Sequence, residues 1–308
     1  MKEKKSFIKK ITAVLLIFSV YFYIITKGIS ASSHLLDGAI FFFDKIFPSV
    51  FPFVLLSKLL IDTSFTAILE NIISKNTKLK TLNPNLIPAL CLSVISGFPT
   101  GAIMMKELYE KKRISKKEAD IFLAAVNNAS PGFVTVIVGQ YVFDSLISGF
   151  LLWLFSVSVN IFLGIMLLPK TYYNKTTPRY PTNDNYNFSS SFIKRTKESV
   201  FVLINIFSLN LVFYFVSRMT NDIFGYLHFP KICYILKDSV IEMGCGVFSS
   251  LSTPCISRAA SAFAIGFGGL CVMMQIKENA HENADMKCYF VLKLISGALC
   301  SLFAFFVL

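Results

Sequence analysis

The apolar residues of this chain gather into runs of about 20, each long enough to cross the hydrocarbon of a bilayer as a helix, and short basic loops separate them. Helix is the element that follows, because in hydrocarbon every segment has to satisfy its own backbone N–H and C=O groups. No stretch between the runs is long enough for a separate soluble core. The sequence therefore predicts an all-α, polytopic membrane protein with the lipid bilayer as its solvent. Hydrophobic residues make up 54% of the 308, with 32 Phe, against 16% charged residues, a balance far from that of a soluble domain.

The formal net charge of +12 invites a nucleic-acid reading, but the basic residues sit in loops between apolar runs and form no continuous face. Positive-inside topology explains them, with no nucleic-acid partner. The seven cysteines lie mostly inside apolar stretches with no CxxC or other metal-ligand spacing, so they read as small buried hydrophobes and neither a metal nor a cofactor is expected. There is no phosphate loop, HExxH or GxSxG, and His34, His228 and His281 are scattered, so no catalytic residue is assigned and the chain is not expected to be an enzyme.

Residues 1–32 read as an N-terminal membrane anchor with a cytoplasmic N-terminus, although Ser30-Ala31-Ser32 is also a passable signal-peptide cleavage site. The run 35–61 contains Asp37, Asp44, Lys45, Pro48 and Pro52, which predicts an amphipathic helix at the interface followed by a Pro-broken span from about 47. The run 86–105 is split by Ser96-Gly97-Phe98-Pro99-Thr100-Gly101 and flanked on both sides by basic loops, Lys75, Lys78 and Lys80 before it and 106–117 after it. Both flanks claim the cytoplasm. A re-entrant hairpin satisfies that where a single span does not, though a kinked span is the ordinary alternative. A further break, Asn127-Asn128-Ala129-Ser130-Pro131-Gly132, precedes a clean span at 146–168.

The polar stretch 169–198 reads as a cytoplasmic linker, dividing a first repeat at 33–168 from a second at 199–308. The second half has a span at 200–216, a mixed loop with Lys231 and Lys237, an apolar region 239–276 broken at 243–246 and 266–269, and a final run at 288–308. Gly97-Phe98 with Met104-Met105 and Gly266-Phe267 with Met273-Met274 share one spacing, and Ser57-Lys58 is echoed by Ser217-Arg218 on the opposite side by charge counting. That is the pattern of inverted repeats with broken helices, the sequence pointer to a transporter-like core.

A break at mid-membrane exposes backbone polar groups that something must satisfy. The candidate substrate-binding residues are those at the breaks: Ser96, Gly97, Thr100, Gly101, Asn127, Asn128, Ser130, Gly268, Gly269 and Gln275. Their amides and hydroxyls suit a neutral, hydrogen-bonding solute such as a nucleoside or sugar-like molecule, while the alternative is that they stitch helices together. Glu242, four residues into an apolar run, is the candidate ion-coupling residue; the alternative places it at the head-group boundary beside Lys237 and Asp238.

The segments 47–60, 96–102, 127–132 and 266–275 together resemble the sporulation integral membrane proteins of the nucleoside-recognition, or Gate-domain, group. That group is related to the membrane cores of concentrative nucleoside transporters and an iron transporter. The resemblance implies a two-repeat core with re-entrant hairpins and a role in the cell membrane during bacterial spore cortex and envelope formation. It leaves open whether the chain is a permease or a non-transporting scaffold, and whether it works as a homo-oligomer or with spore-envelope membrane partners. At Met243-Gly244-Cys245-Gly246 the chain departs from the group, whose members carry a Thr and an Asn before the Gly.

Overall fold

The computed structural model describes residues 2–74, 83–168, 186–251 and 254–308, and every regular element among them is helical. The loop with Lys75, Lys78 and Lys80 and most of the 169–198 stretch lie outside the described residues. The first half comprises α1 (Lys2–Thr26), α2 (Gly28–Phe41), a π turn (Phe42–Ile46), α3 (Phe47–Asp62), α4 (Phe65–Ser74), α5 (Leu86–Ser96), α6 (Thr100–Glu110), α7 (Lys116–Val126), a second π turn (Phe133–Val138) leading into α8 (Gly139–Val142), and α9 (Leu146–Leu167). The second half comprises α10 (Phe188–Tyr226), α11 (Lys231–Ile241), α12 (Met243–Ser250), α13 (Pro254–Phe267), α14 (Gly269–Asn279) and α15 (Met286–Val307).

Among the described residues, five segments are long and apolar enough to cross a membrane: Gly28–Asp62, Leu146–Leu167, Phe188–Tyr226, Ile256–Asn279 and Met286–Val307. Their outward faces carry exposed large hydrophobics, among them Phe162, Phe201, Phe305 and Phe306. A surface this apolar is at home in lipid. The termini are set by polar caps: Ser115 and Glu118 form a capping box on α7, Ser145 caps α9, Asn187 caps α10 and Asp285 caps α15.

Two boundaries differ from the sequence reading. Residues 28–62 run as one helix instead of an interfacial helix plus a separate span. The π turn immediately upstream of Pro48 shifts the hydrogen-bond register where the proline N–H is missing, so the helix continues through it. The helix α10 begins at Phe188, inside the stretch read as linker, because Asn187 caps it and Arg195 is tied to Asp62 at 2.9 Å. Lys231 and Lys237, read as loop, lie in α11.

The long helix 28–62 and α10 pack antiparallel. Arg195 meets Asp62, Lys58 meets Glu198 at 3.4 Å, Phe42 meets Phe207 with ring centroids 5.0 Å apart, Phe41 meets Tyr214, and His34 meets Asp222 at 3.2 Å. Residue numbers rise along one helix as they fall along the other, so Lys58 and Arg218 occupy opposite ends of the pair. Within the first half, α5 and α6 have 11 residues each, about 16 Å of helix, half of a bilayer core. The Asn83 side-chain amide donates to the Arg113 carbonyl at 2.9 Å, so the chain enters α5 and leaves α6 at the same end.

With α1 and the ten-residue α4 set aside, which have no counterpart in the second half, one element order occurs twice: a long helix, a pair of short helices, a broken helix and a 22-residue helix. In that order the α5–α6 pair corresponds to α11–α12, and the break at 127–130 to that at Gly268. The Gly-Phe and Met-Met match of the sequence therefore joins segments in different positions: 97–105 turns between paired short helices, whereas 266–274 crosses the break within Ile256–Asn279.

Candidate functional site

The breaks come together two by two. Gly97, with φ +76°, leaves α5 so close to the second break that a Cβ on it would lie 2.8 Å from the Ser130 nitrogen. Only glycine tolerates both the backbone angle and the approach. Phe98 N donates to the Asn128 carbonyl at 2.9 Å, and Ala102 N, in the first turn of α6, donates to Asn127 Oδ1 at 3.1 Å. Asn127 thus satisfies an early amide of α6 from a neighbouring element. Gly101 packs against the Val126 carbonyl, Thr100 is buried, and Ser96 Oγ donates back to Leu92 O.

In the second half, Gly268 and Gly269 have φ of +86° and +79°, and a Cβ on Gly269 would lie 3.2 Å from Met243 N. Glu242 Oε2 accepts from Cys245 N at 2.6 Å, so the carboxylate caps α12, where the positive end of the helix dipole favours negative charge. Glu242 is buried, with no basic side chain paired to it. The Lys237 ammonium is engaged elsewhere: it bonds Asp238 at 2.6 Å, and also Ser217 and Thr220.

Between the two pairs lies a narrow cavity. Phe98, Ser130 and Phe133 line it from the first half, Glu242, Met243, Val272 and Gln275 from the second, and Ile46, Val50, Ile206 and Asn210 from the long antiparallel helices. About 40 Å³ is open to the centres of water molecules, room for a few waters. Asn210 Oδ1 has no hydrogen-bond partner, and Gln275 Nε2 reaches only the soft acceptor Cys271 Sγ at 3.5 Å.

Of the residues singled out in the sequence, Ser130, Glu242 and Gln275 face this cavity. Ser96, Gly97, Thr100, Gly101, Gly268 and Gly269 form the packed breaks behind its wall. Asn127 and Asn128 also lie behind it with their amides engaged: Asn127 Nδ2 donates to Leu123 O, Asn128 Nδ2 to Ala125 O, and Asn128 Oδ1 accepts from Asn160 Nδ2 at 2.8 Å. Sequence reasoning missed Asn210. The available signal was a lone carboxamide inside the apolar run 200–216, which gives a membrane helix reason to face its bundle.

Chemically the cavity offers one hydroxyl, two carboxamides and one carboxylate inside an otherwise aliphatic and aromatic wall. That set recognises donors and acceptors on an uncharged solute, with the carboxylate as the one group able to carry a proton or pair with a cation. Comparison with protein-family models, curated proteins and solved structures finds no match for this chain.

Proposed function

We propose that the chain is a transporter-like permease for a small polar solute. The observation that carries this reading is the position of the cavity, at the meeting of the broken elements of both halves, with Ser130, Asn210, Glu242 and Gln275 on its wall. In transporter cores the solute binds at such a meeting point near mid-membrane, and alternating access is a rocking of one repeat against the other. The pairs α5–α6 and α11–α12 are read as re-entrant hairpins, and the two halves as inverted repeats. The antiparallel course of 28–62 and α10 and the closure of Asn83 on Arg113 support both readings. Glu242 is read as the coupling group and the amides as the solute contacts, with a nucleoside or sugar-like molecule as the solute class. The N-terminus is read as cytoplasmic from the basic loops, and the cell membrane of a spore-forming bacterium is read as the setting from the sequence resemblance.

Uptake by proteoliposomes tests this directly. Purified protein, offered tritiated nucleosides and sugars under imposed proton and sodium gradients, is expected to accumulate at least one class above empty vesicles. Absence of uptake under every gradient would sink the permease. A second reading is then favoured by the engaged amides of Asn127 and Asn128: a rigid, non-transporting scaffold for spore-envelope assembly that keeps the same architecture.

A further inference from the structure

A second buried polar locus lies apart from this cavity, on α15. Lys293 is 2% exposed and, among the described residues, makes no hydrogen bond and no ion pair. It sits in a candidate membrane span, where an unpaired charge is costly and polar groups are retained for function. Tyr289 precedes it by four residues and Ser296 follows it by three, so all three share one face of the helix. Tyr289 is 1% exposed and Ser296 fully buried; Tyr289 Oη has no hydrogen-bond partner, and Ser296 Oγ has none but the soft thiol of Cys300, one turn further along the same face.

The surrounding helices hold no counter-charge at this level. The start of α15 is fixed by Asp285 N donating to Asp120 Oδ1 at 2.9 Å, and Lys293 lies about 12 Å further along. Asp120 is already engaged by Lys116 at 2.8 Å and His281 at 3.0 Å. The helix α9 runs alongside, with Gly164 against Ala125, Asn160 bonded to Asn128 and Phe155 stacked on Phe303, and it carries no charged residue. Arg258, the one charged residue in α13, donates to the Leu308 carbonyl at the far end.

An ammonium and two hydroxyls on one buried face can each donate a hydrogen bond to an anion. Asn160 Oδ1 on α9 is an unpartnered acceptor, a single one against the three hydrogens of the ammonium. We infer that Tyr289, Lys293 and Ser296 form a binding site for a small monovalent anion of the chloride class. The anion neutralises the ammonium and accepts from both hydroxyls, which removes the cost of an uncompensated charge in the span. The site is independent of the permease reading.

Chloride is the probe. Full-length protein in detergent is melted in chloride and in gluconate at constant ionic strength. Chloride is expected to raise the midpoint by several degrees and to saturate, since a ligand held only by the folded state stabilises it by mass action. Lys293→Met is expected to abolish that rise and to melt above the wild type in gluconate, because it removes the unpaired charge; Ser296→Ala should weaken the rise. Equal wild-type midpoints in the two salts, or a full chloride effect in Lys293→Met, would overturn the site. Should Lys293→Met not fold, equilibrium dialysis of the wild type with radiolabelled chloride decides: saturable binding near one per chain supports the site, and none refutes it.

Discussion

Asn83 gives its side-chain amide to the backbone carbonyl of Arg113, 30 residues away, and so closes the α5–α6 pair at its base. In the proposed re-entrant reading both flanks of the Gly97-Phe98-Pro99 turn lie on one side of the membrane, which accounts for the basic residues on each. Single cysteines at Lys78 and Lys112, in a background without native cysteines, are expected to react with an impermeant thiol reagent from the same side of the membrane. Reaction from opposite sides would show that the segment spans.

Arg195 bridges the two long helices, with Asp62 at 2.9 Å and Glu198 at 2.7 Å. Arg195→Ala leaves two carboxylates near one another and is expected to lower unfolding free energy by about 1.5–3 kcal/mol, the range for hydrogen bonds to charged groups. Asp62→Ala added to Arg195→Ala should recover part of that loss. A double-mutant cycle in denaturant measures it, and strict additivity would mean that the pair is uncoupled.

How much of this was legible in the sequence depends on what set each feature. The spans could be read because a bilayer imposes a length on apolar runs, and the breaks at Gly97, Asn127, Glu242 and Gly268 could be read because Gly, Pro and polar residues punctuate those runs. The pairing of the breaks could not, since the contacts of Gly97 with Ser130 and of Gly269 with Met243 depend on tertiary packing. The continuous helix through Pro48 was hidden because a π turn, which has no strong sequence signature, set the register upstream. Asn210 and Lys293 were passed over as single polar residues in apolar runs, although their burial is what gives them meaning.

Asn128 separates stitching from solute contact. Its amide is engaged by Asn160 and Ala125, so Asn128→Ala is expected to lower stability by about 0.6–2 kcal/mol, the span of helix–helix hydrogen bonds in membranes, and to leave uptake per folded molecule unchanged. A chemical-denaturation series with uptake normalised to folded protein checks both. A loss of uptake at unchanged stability would move Asn128 into the site.

Glu242→Gln keeps the shape of the α12 cap and removes the charge. The variant should fold, because a carboxamide oxygen can still accept from Cys245 N, now at 2.6 Å from the carboxylate. Gradient-driven uptake is expected to fall at least about tenfold, equivalent to about 1.4 kcal/mol of lost coupling. Uptake that keeps its wild-type response to an imposed proton or sodium gradient would remove Glu242 from the coupling role.

In the permease proposal the cavity between the two halves opens to each side of the membrane in turn. Ser130 lies on its wall, and a single cysteine there, in a background without native cysteines, can be challenged in oriented vesicles with an impermeant thiol reagent from either side. The account predicts reaction from both sides, with solute slowing each. Reaction from neither side, in protein shown to be folded, would contradict it and leave a closed scaffold.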